Sequence, residues 1–188
     1  MSDPAALPSR RRRTWLASVS LLALMIAVAF GGYVVAGAEV RSVSSVEIVP
    51  GITVKPAPGW EVAGREAGDV TLVRLTRGNG SLDVIAGGYT GGAAALFETF
   101  RQEALEPNSE RLRVSDEVES VRHPSGLEGV RGFYIGTFGD RSQSIEGEVT
   151  AFVTASGIGV VFDAWAGEGL LAGALDDVHA MIESAELG

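Results

Sequence analysis

The last segment of the chain holds three side chains that could together bind a divalent metal. Asp176, His179 and Glu183 are spaced i, i+3 and i+7, which places them on one flank of a helix. Two carboxylates and an imidazole are suitable donors for such an ion. The same spacing is also typical of a solvated helix face, and real metal ligands carry hydrogen-bonding partners of their own. We therefore predict no metal site here.

A glycine-rich segment, Gly87–Gly92, lies between a predicted strand and a predicted helix, where backbone amides can bind phosphate. It lacks the Lys-Ser/Thr pair of a P-loop and the glycine spacing of a dinucleotide site, so we interpret it as a turn and a helix start. Asn79-Gly80-Ser81 matches a glycosylation sequon, but Asn-Gly is also a frequent pair in β-hairpin turns, and the turn alone explains it. No cofactor is predicted.

The sequence contains no recognisable catalytic motif. A Gly-x-Ser-x-Gly nucleophile motif is absent, and the chain has no cysteine, which excludes thiol catalysis and a disulfide scaffold. His123 precedes Pro124 in a predicted hairpin turn and is expected to be exposed. The acidic residues offer many carboxylate pairs, and no spacing singles one out. We predict that the protein is not an enzyme, with a carboxylate hydrolase as an alternative.

Aromatic side chains supply the candidate interaction surface. Consecutive strand residues point to opposite faces of a sheet, so Phe133 and Tyr134 must lie on opposite sides. If helices cover only one face, one of these rings is exposed and could dock a partner or an apolar ligand. If helices cover both faces, the rings belong to the core, which is the favoured interpretation. The candidate interaction residues are Tyr134, Phe133 and Trp165.

The charge of the chain narrows the possible partners. The formal net charge is -9, and the residues from Glu39 onward hold 11 basic and 23 acidic side chains, a difference of -12. Such a domain repels nucleic acid and anionic lipid head groups, so nucleic-acid binding is not expected. The acidic surface favours a basic partner or loosely held cations.

A membrane segment precedes the acidic part. Residues 14–38 form a run of 25 residues without a charge, long enough for one helix to span a bilayer. Arginines occupy positions 10–13, and the positive-inside rule then places the N-terminus in the cytoplasm. The alternative is a secreted protein after cleavage at Ala38, because Ala36-Gly37-Ala38 has a small-x-small pattern. The length of the apolar run favours the anchor.

These signals divide the chain into four regions. They are a basic cytoplasmic N-terminus at 1–13, a transmembrane helix at 14–38, a short stalk at 39–45 and an extracytoplasmic domain at 46–188. Within the domain, β-type runs occur at 46–49, 52–54, 60–66, 69–76, 81–87, 111–122, 127–138, 144–155 and 158–165, and helical periodicity at 93–105 and 169–185. Short loops force antiparallel pairing. The order therefore predicts an α+β fold in which an antiparallel sheet is packed with two helices.

A family resemblance follows from this order of elements. The Pro56-Ala57-Pro58-Gly59-Trp60 turn, the hairpin, the mid-chain helix, the meander with glycine-rich turns and the final amphipathic helix together resemble the PsbP-like or Mog-type fold family, in its branch of small actinobacterial envelope proteins. The resemblance covers about residues 46–186. It implies a non-enzymatic binding or assembly-assisting domain, and the family has no shared catalytic set to transfer.

The function expected from these observations is non-catalytic. We expect a membrane-anchored extracytoplasmic binding or accessory module that contacts another envelope protein. The alternative is a carrier of a small apolar ligand or lipid, which requires a cavity of roughly a few hundred Å³ between sheet and helix. The hydrolase alternative requires a cleft with convergent titratable groups.

Overall fold

A computed structural model describes residues 45–139 and 144–188. The predicted cytoplasmic segment, the predicted transmembrane helix and all of the predicted stalk except Ser45 lie outside the described residues. Within the part of the chain that is described, no helix is both long and apolar enough to cross a membrane.

The described residues form two antiparallel sheets and two α-helices, which confirms the predicted α+β class. The strands are β1 Val46–Val49, β2 Ile52–Val54, β3 Glu61–Glu66, β4 Val70–Arg77, β5 Gly80–Gly88, β6 Ser109–Val114, β7 Glu119–Arg122, β8 Glu128–Phe138, β9 Ser144–Val153, β10 Ile158–Gly167 and β11 Glu186–Leu187. The helices are α1 Ala93–Phe100 and α2 Ala172–Glu183.

The large sheet has the strand order β3-β4-β5-β10-β9-β8-β6, and β7 also pairs with β8. The small sheet has the order β1-β2-β11. The sequence pattern did not predict that β1 and β2 form a separate sheet, and it missed β11, because a two-residue strand carries no periodicity.

Both faces of the large sheet carry a hydrophobic core. On one face, here called the α1 face, Leu96, Phe97 and Phe100 of α1 belong to the same buried cluster as Val149 and Val161. On the opposite face, the α2 face, α2 and the small sheet pack against the central strands. Their buried contributors include Val178, Met181, Ile182, Ile48, Ile52 and Val54. The central strands are therefore buried on both sides.

Both predicted helices have different boundaries in the structure. The helix predicted at 93–105 leaves α geometry after Phe100 and continues as a π-helical turn Arg101–Leu105 and a 3₁₀ turn Glu106–Asn108. Pro107 lacks the N–H that an α-helix would need at this point. The helix predicted at 169–185 is shorter, since α2 ends at Glu183.

The strand predicted at 111–122 is two strands, β6 and β7. At Ser115 the backbone N–H donates to the carbonyl of Phe133 (2.8 Å), while the Ser115 hydroxyl accepts from the N–H of Phe133 (3.1 Å). A side chain thus replaces a backbone acceptor, the ladder stops, and pairing with β8 resumes at Glu119.

The β4–β5 hairpin places the Asn-Gly pair differently from the expected turn. Arg77 pairs with Gly80, so the two loop residues are Gly78, at φ +57°, and Asn79. Gly80 serves packing instead: a Cβ there would lie 2.9 Å from the Cβ of Ala174 in α2. The glycine lets the helix approach the sheet.

Candidate functional site

An open strip of the large sheet lies beyond the edge of α2. Phe133 is opposite Glu148 in β9, and Glu148 is opposite Ala164 in β10, a member of the core beneath α2. Opposite residues of an antiparallel pair share a face, so Phe133 lies on the α2 face. The helix packs on β5 and β10, and Phe133 is 46% exposed. We call Arg131, Phe133 and Ile135, with Arg113 opposite Ile135, the β8 strip.

A buried carboxylate connects this strip to α2. Glu148 is 2% exposed, and its Oε1 accepts a hydrogen bond from His179 Nε2 at 2.8 Å and lies 3.4 Å from Arg131 Nε. Its Oε2 is buried without a partner among the described residues. A buried carboxylate needs a nearby cation, which Arg131 supplies. The contact fixes one end of the β8 strip against the helix.

His179 therefore belongs to a contact that its spacing did not predict. It bonds Glu148 of β9 rather than converging with Asp176 and Glu183. Among residues 45–139 and 144–188, no three His, Asp or Glu side chains are grouped closely enough to hold a metal ion.

A groove of about 410 Å³ adjoins the β8 strip between β6 and β8. Its walls include Arg113 and Ile135, which are members of the strip, together with Arg111 and Glu168. The pairing register of β6 shifts between Glu110 and Arg113, and Arg111 has a left-handed φ of +60°. Both arginines line the groove next to this bulge. We call Arg111, Arg113, Ile135 and Glu168 the edge groove.

A second charged group, the polar cluster, lies on the α1 face and has buried aspartates at its centre. Asp83 of β5 and Asp163 of β10 are directly opposite each other. Arg74 donates from Nε and Nη2 to the two oxygens of Asp83, each at 2.6 Å. Tyr134 donates its hydroxyl to Asp163 at 3.0 Å, and Trp165 donates Nε1 to Asp83 at 3.3 Å. These five residues define the polar cluster.

The polar cluster holds a proton at neutral pH. Burial, and then the neighbouring charge of Asp83, raise the pKa of Asp163 to about 8. Burial and the adjacent Asp163 raise the pKa of Tyr134 well above its ordinary value. The raised pKa therefore keeps Asp163 protonated at neutral pH.

Tyr134 closes the cluster by crossing over β9. A Cβ at Gly147 would lie 2.2 Å from the tyrosine ring, so glycine is required for the crossing. The guanidinium of Arg74 stacks on Trp165, 5.4 Å from the ring centroid. Both aspartates and Tyr134 are at most 7% exposed, and their hydrogen bonds are made within the cluster. The arrangement suits a structural network better than a substrate site.

The predicted interaction residues separate between these two regions. Phe133 is exposed on the α2 face, whereas Tyr134 is buried and Trp165 is half-buried on the α1 face. Tyr134 therefore cannot offer an accessible ring, a correction that follows from its crossing of Gly147 toward Asp163. Two of the three predicted residues belong to the polar cluster.

The prediction for His123 was wrong. It is 5% exposed, its Nε2 lies 3.0 Å from the carbonyl of Ile182, and its Nδ1 accepts from the N–H of Ser125. The ring also meets Phe152 edge to face. The hairpin turn is folded beneath the end of α2, which a local sequence pattern does not reveal.

Sequence reasoning also missed the two aspartates of the polar cluster. They are far apart in the chain and meet only through the register of β5 and β10. Their signal was local: each is a single charge between apolar neighbours, in Leu82-Asp83-Val84 and Phe162-Asp163-Ala164. A charge within a buried strand requires a buried partner.

The space between the sheet and α1 is too small for a carrier. The cavity bounded by Ile85, Leu96 and Phe100 holds about 20 Å³. This is roughly the room that one water molecule needs. The larger edge groove lies beside the sheet and is lined by charged side chains, unlike the enclosed apolar cavity expected of a lipid carrier.

Together these features define an α+β protein whose large antiparallel sheet is left partly uncovered on one face. Two similar solved structures are the Ran-binding protein Mog1p of Saccharomyces cerevisiae and a point mutant of the protein Mog1. For each, the TM-score is 0.49 at 14% identity, over 76% of this chain and 94% of the other. No protein-family model matches the chain, and no curated protein matches it.

Proposed function

We propose that the chain is a non-catalytic binding or accessory module of PsbP-like fold that contacts another envelope protein through the β8 strip. The observation that carries this proposal is Phe133, an aromatic ring 46% exposed within an eleven-residue strand. The order of strands and helices and the turn before Trp60 support the PsbP-like assignment.

The composition of the strip suits protein recognition. Aromatic residues and arginine are enriched among the side chains that dominate interface energetics. Here one aromatic ring lies between Arg131 and Ile135 on a backbone held in place by β6 and β9. A rigid surface loses little conformational entropy on binding.

Two alternatives have less support. A hydrolase needs a carboxylate pair that a substrate can reach, and the opposed pair Asp83 and Asp163 is buried and hydrogen-bonded. A carrier needs more room than the 20 Å³ beneath α1.

The module is proposed to be anchored by residues 14–38, with its N-terminus in the cytoplasm and its domain outside. The support is the uncharged run and the arginines before it. Because the chain has no cysteine, single-cysteine variants report topology cleanly. A membrane-impermeant maleimide should label Ser45→Cys in intact cells and leave Ser2→Cys unlabelled. The reverse labelling pattern contradicts the proposed orientation. An intact mass that corresponds to a chain starting after Ala38 contradicts the anchor.

The docking proposal is tested by comparing two exposed hydrophobic positions. Tagged full-length protein is isolated from membranes in mild detergent, and co-purifying proteins are quantified by mass spectrometry. Phe133→Asp should abolish recovery of the partner, whereas Val118→Asp should retain it, since Val118 is 41% exposed but lies outside the β8 strip. If no protein depends on Phe133, the proposed function is wrong.

A further inference from the structure

We propose that the edge groove receives a carboxylate of the partner, on an extended segment whose neighbouring apolar side chain packs on Phe133 and Ile135. The proposal deepens the proposed function and depends on it. The overall acidity of the domain favours a basic partner, whereas this groove is proposed to bind an acidic group.

The first observation is the set of ionic partners of the arginines. Six arginines among the described residues form an ion pair with a carboxylate or donate to backbone carbonyls of this chain: Arg65, Arg74, Arg77, Arg101, Arg122 and Arg131. Arg111 and Arg113 have no such partner within the described part of the chain, and both are exposed. These two arginines line one groove.

The second observation is the backbone that carries them. Residues two apart in an extended strand face the same way, so Arg111 and Arg113 share one side of β6. Here the register shifts between Glu110 and Arg113, and Arg111 takes a left-handed φ of +60°. An ordinary side chain adopts this conformation at a cost of about 1 kcal/mol. Arginine is well suited to bind a carboxylate in two-point fashion.

The third observation is continuity with the apolar part of the strip. Ile135 belongs both to the groove wall and to the α2 face of β8, two residues from Phe133. Alternate residues of an extended segment face the same way, so a partner with a carboxylate at one position and an apolar side chain two positions on matches this spacing. Glu168 also lines the groove, and its charge disfavours a second carboxylate of the partner beside the one that the arginines bind.

Charge complementarity selects an acidic partner over a basic one. The domain as a whole repels acids at long range, but that repulsion is screened over about 10 Å in ordinary salt. Within the groove two arginines outnumber one glutamate, Glu168. A basic segment would meet two cations that have no carboxylate partner among the described residues, and it would leave them so on binding.

The decisive test uses the rarity of lysine in this chain, whose single lysine is Lys55. Replacing Arg113 with lysine keeps the charge and adds an amine that a carbodiimide can join to a nearby carboxylate. Full-length Lys55→Arg/Arg113→Lys protein, isolated with its Phe133-dependent partner, should form a zero-length crosslink from position 113 to an aspartate or glutamate of the partner. The Lys55→Arg protein lacks that amine and is the matched control. Retention of the partner without a crosslink at position 113 overturns the proposal.

A charge reversal separates this inference from the proposed function. Arg111→Glu/Arg113→Glu should lower partner recovery at least tenfold, while Lys55→Glu, an exposed charge reversal immediately after β2, should leave it unchanged. If recovery depends on Phe133 but survives the double reversal, the docking function stands and the carboxylate site is wrong. If recovery is indifferent to Phe133, both are wrong. Matching thermal melts of the variants exclude a folding defect as the cause.

Discussion

The two faces of β8 use similar residue types for opposite purposes. On the α1 face, Tyr134 lies with Arg74 and two aspartates in a sealed network. On the α2 face, its neighbour Phe133 lies beside Arg131 and Glu148 and remains 46% exposed. On both faces an arginine pairs with a carboxylate, but the ring of Tyr134 is covered and hydrogen-bonded whereas the ring of Phe133 is exposed.

The difference arises from how far each helix reaches across the sheet. The first helix, α1, packs on β8, β9 and β10, whereas α2 packs on β5 and β10. Tyr134 is thus adjacent to a helix-covered core, and Phe133 lies beyond the helix edge. Substitutions on one face should leave the other face intact. The largest effects on stability should come from substitutions in the polar cluster on the α1 face.

The largest expected effect is on the pH dependence of stability, through Asp163. Its pKa is 3.8 in an unfolded chain and about 8 when folded, so the folded state holds the extra proton. Its stabilisation is therefore complete below pH 4 and is lost as pH rises to 8. Each pKa unit corresponds to about 1.4 kcal/mol, so several kcal/mol are involved.

Asp163→Asn removes this titration while keeping a hydrogen-bonding side chain. In urea unfolding of the full chain in detergent, the variant should gain stability relative to wild type as pH rises from 4 to 8.5. Asp83→Asn is the matched control: it leaves Arg74 without its carboxylate and should destabilise the protein. A constant difference between Asp163→Asn and wild type across this range would show that Asp163 is ionised in the folded protein.

How much of this could be predicted from the sequence differs between the two faces. Alternation correctly separated Phe133 from Tyr134, because the period of a strand is local. It did not determine which ring is exposed, since that depends on the reach of α2. The polar cluster requires the register of β5 and β10 and the absence of a side chain at Gly147. Register is a tertiary property and cannot be read from local sequence. A single aspartate in an apolar strand indicates only that it needs a buried partner.

The break between β6 and β7 illustrates the same limit. The composition of residues 111–122 is compatible with one strand. Only the contact of Ser115 with Phe133, eighteen residues away, shows why pairing stops there. Strand alternation places Arg111 and Arg113 on one side, but the bulge beside them is equally invisible to periodicity.

The next effect in size concerns the crossing of Tyr134 over β9. Gly147→Ala places a methyl group where the ring lies, 2.2 Å from its nearest atom, and a buried ring cannot yield easily. The expected loss is about 3 kcal/mol, at the upper end of overpacking costs. Gly173→Ala is the control, because a Cβ there meets nothing within 4 Å. Equal melting temperatures for the two variants would mean that Tyr134 has room to move aside.

A smaller effect on stability is expected where the β8 strip meets α2. His179→Ala removes the hydrogen bond to Glu148 and leaves the buried carboxylate with Arg131 alone. The expected cost is about 1–3 kcal/mol, as for a buried acceptor that loses its donor. Asp176→Ala, exposed on the same helix, should cost less than about 0.5 kcal/mol. If the two variants unfold at the same urea concentration, the Glu148 contact does not hold the helix against the strip.

The smallest effect on stability should come from the residue with the largest effect on binding. Phe133→Ser removes an exposed ring that contributes little to the core, so the free energy of unfolding should change by less than about 0.5 kcal/mol. Phe97→Ser offers the contrast, because Phe97, on the buried side of α1, is 4% exposed and its loss should cost about 3 kcal/mol or more. Conversely, Phe133→Ser should lose the partner while a mildly destabilised core variant keeps it. A large loss of stability from Phe133→Ser would mean that the ring packs against other side chains of this domain. The distinction between an exposed Phe133 and a buried Tyr134 would then be wrong.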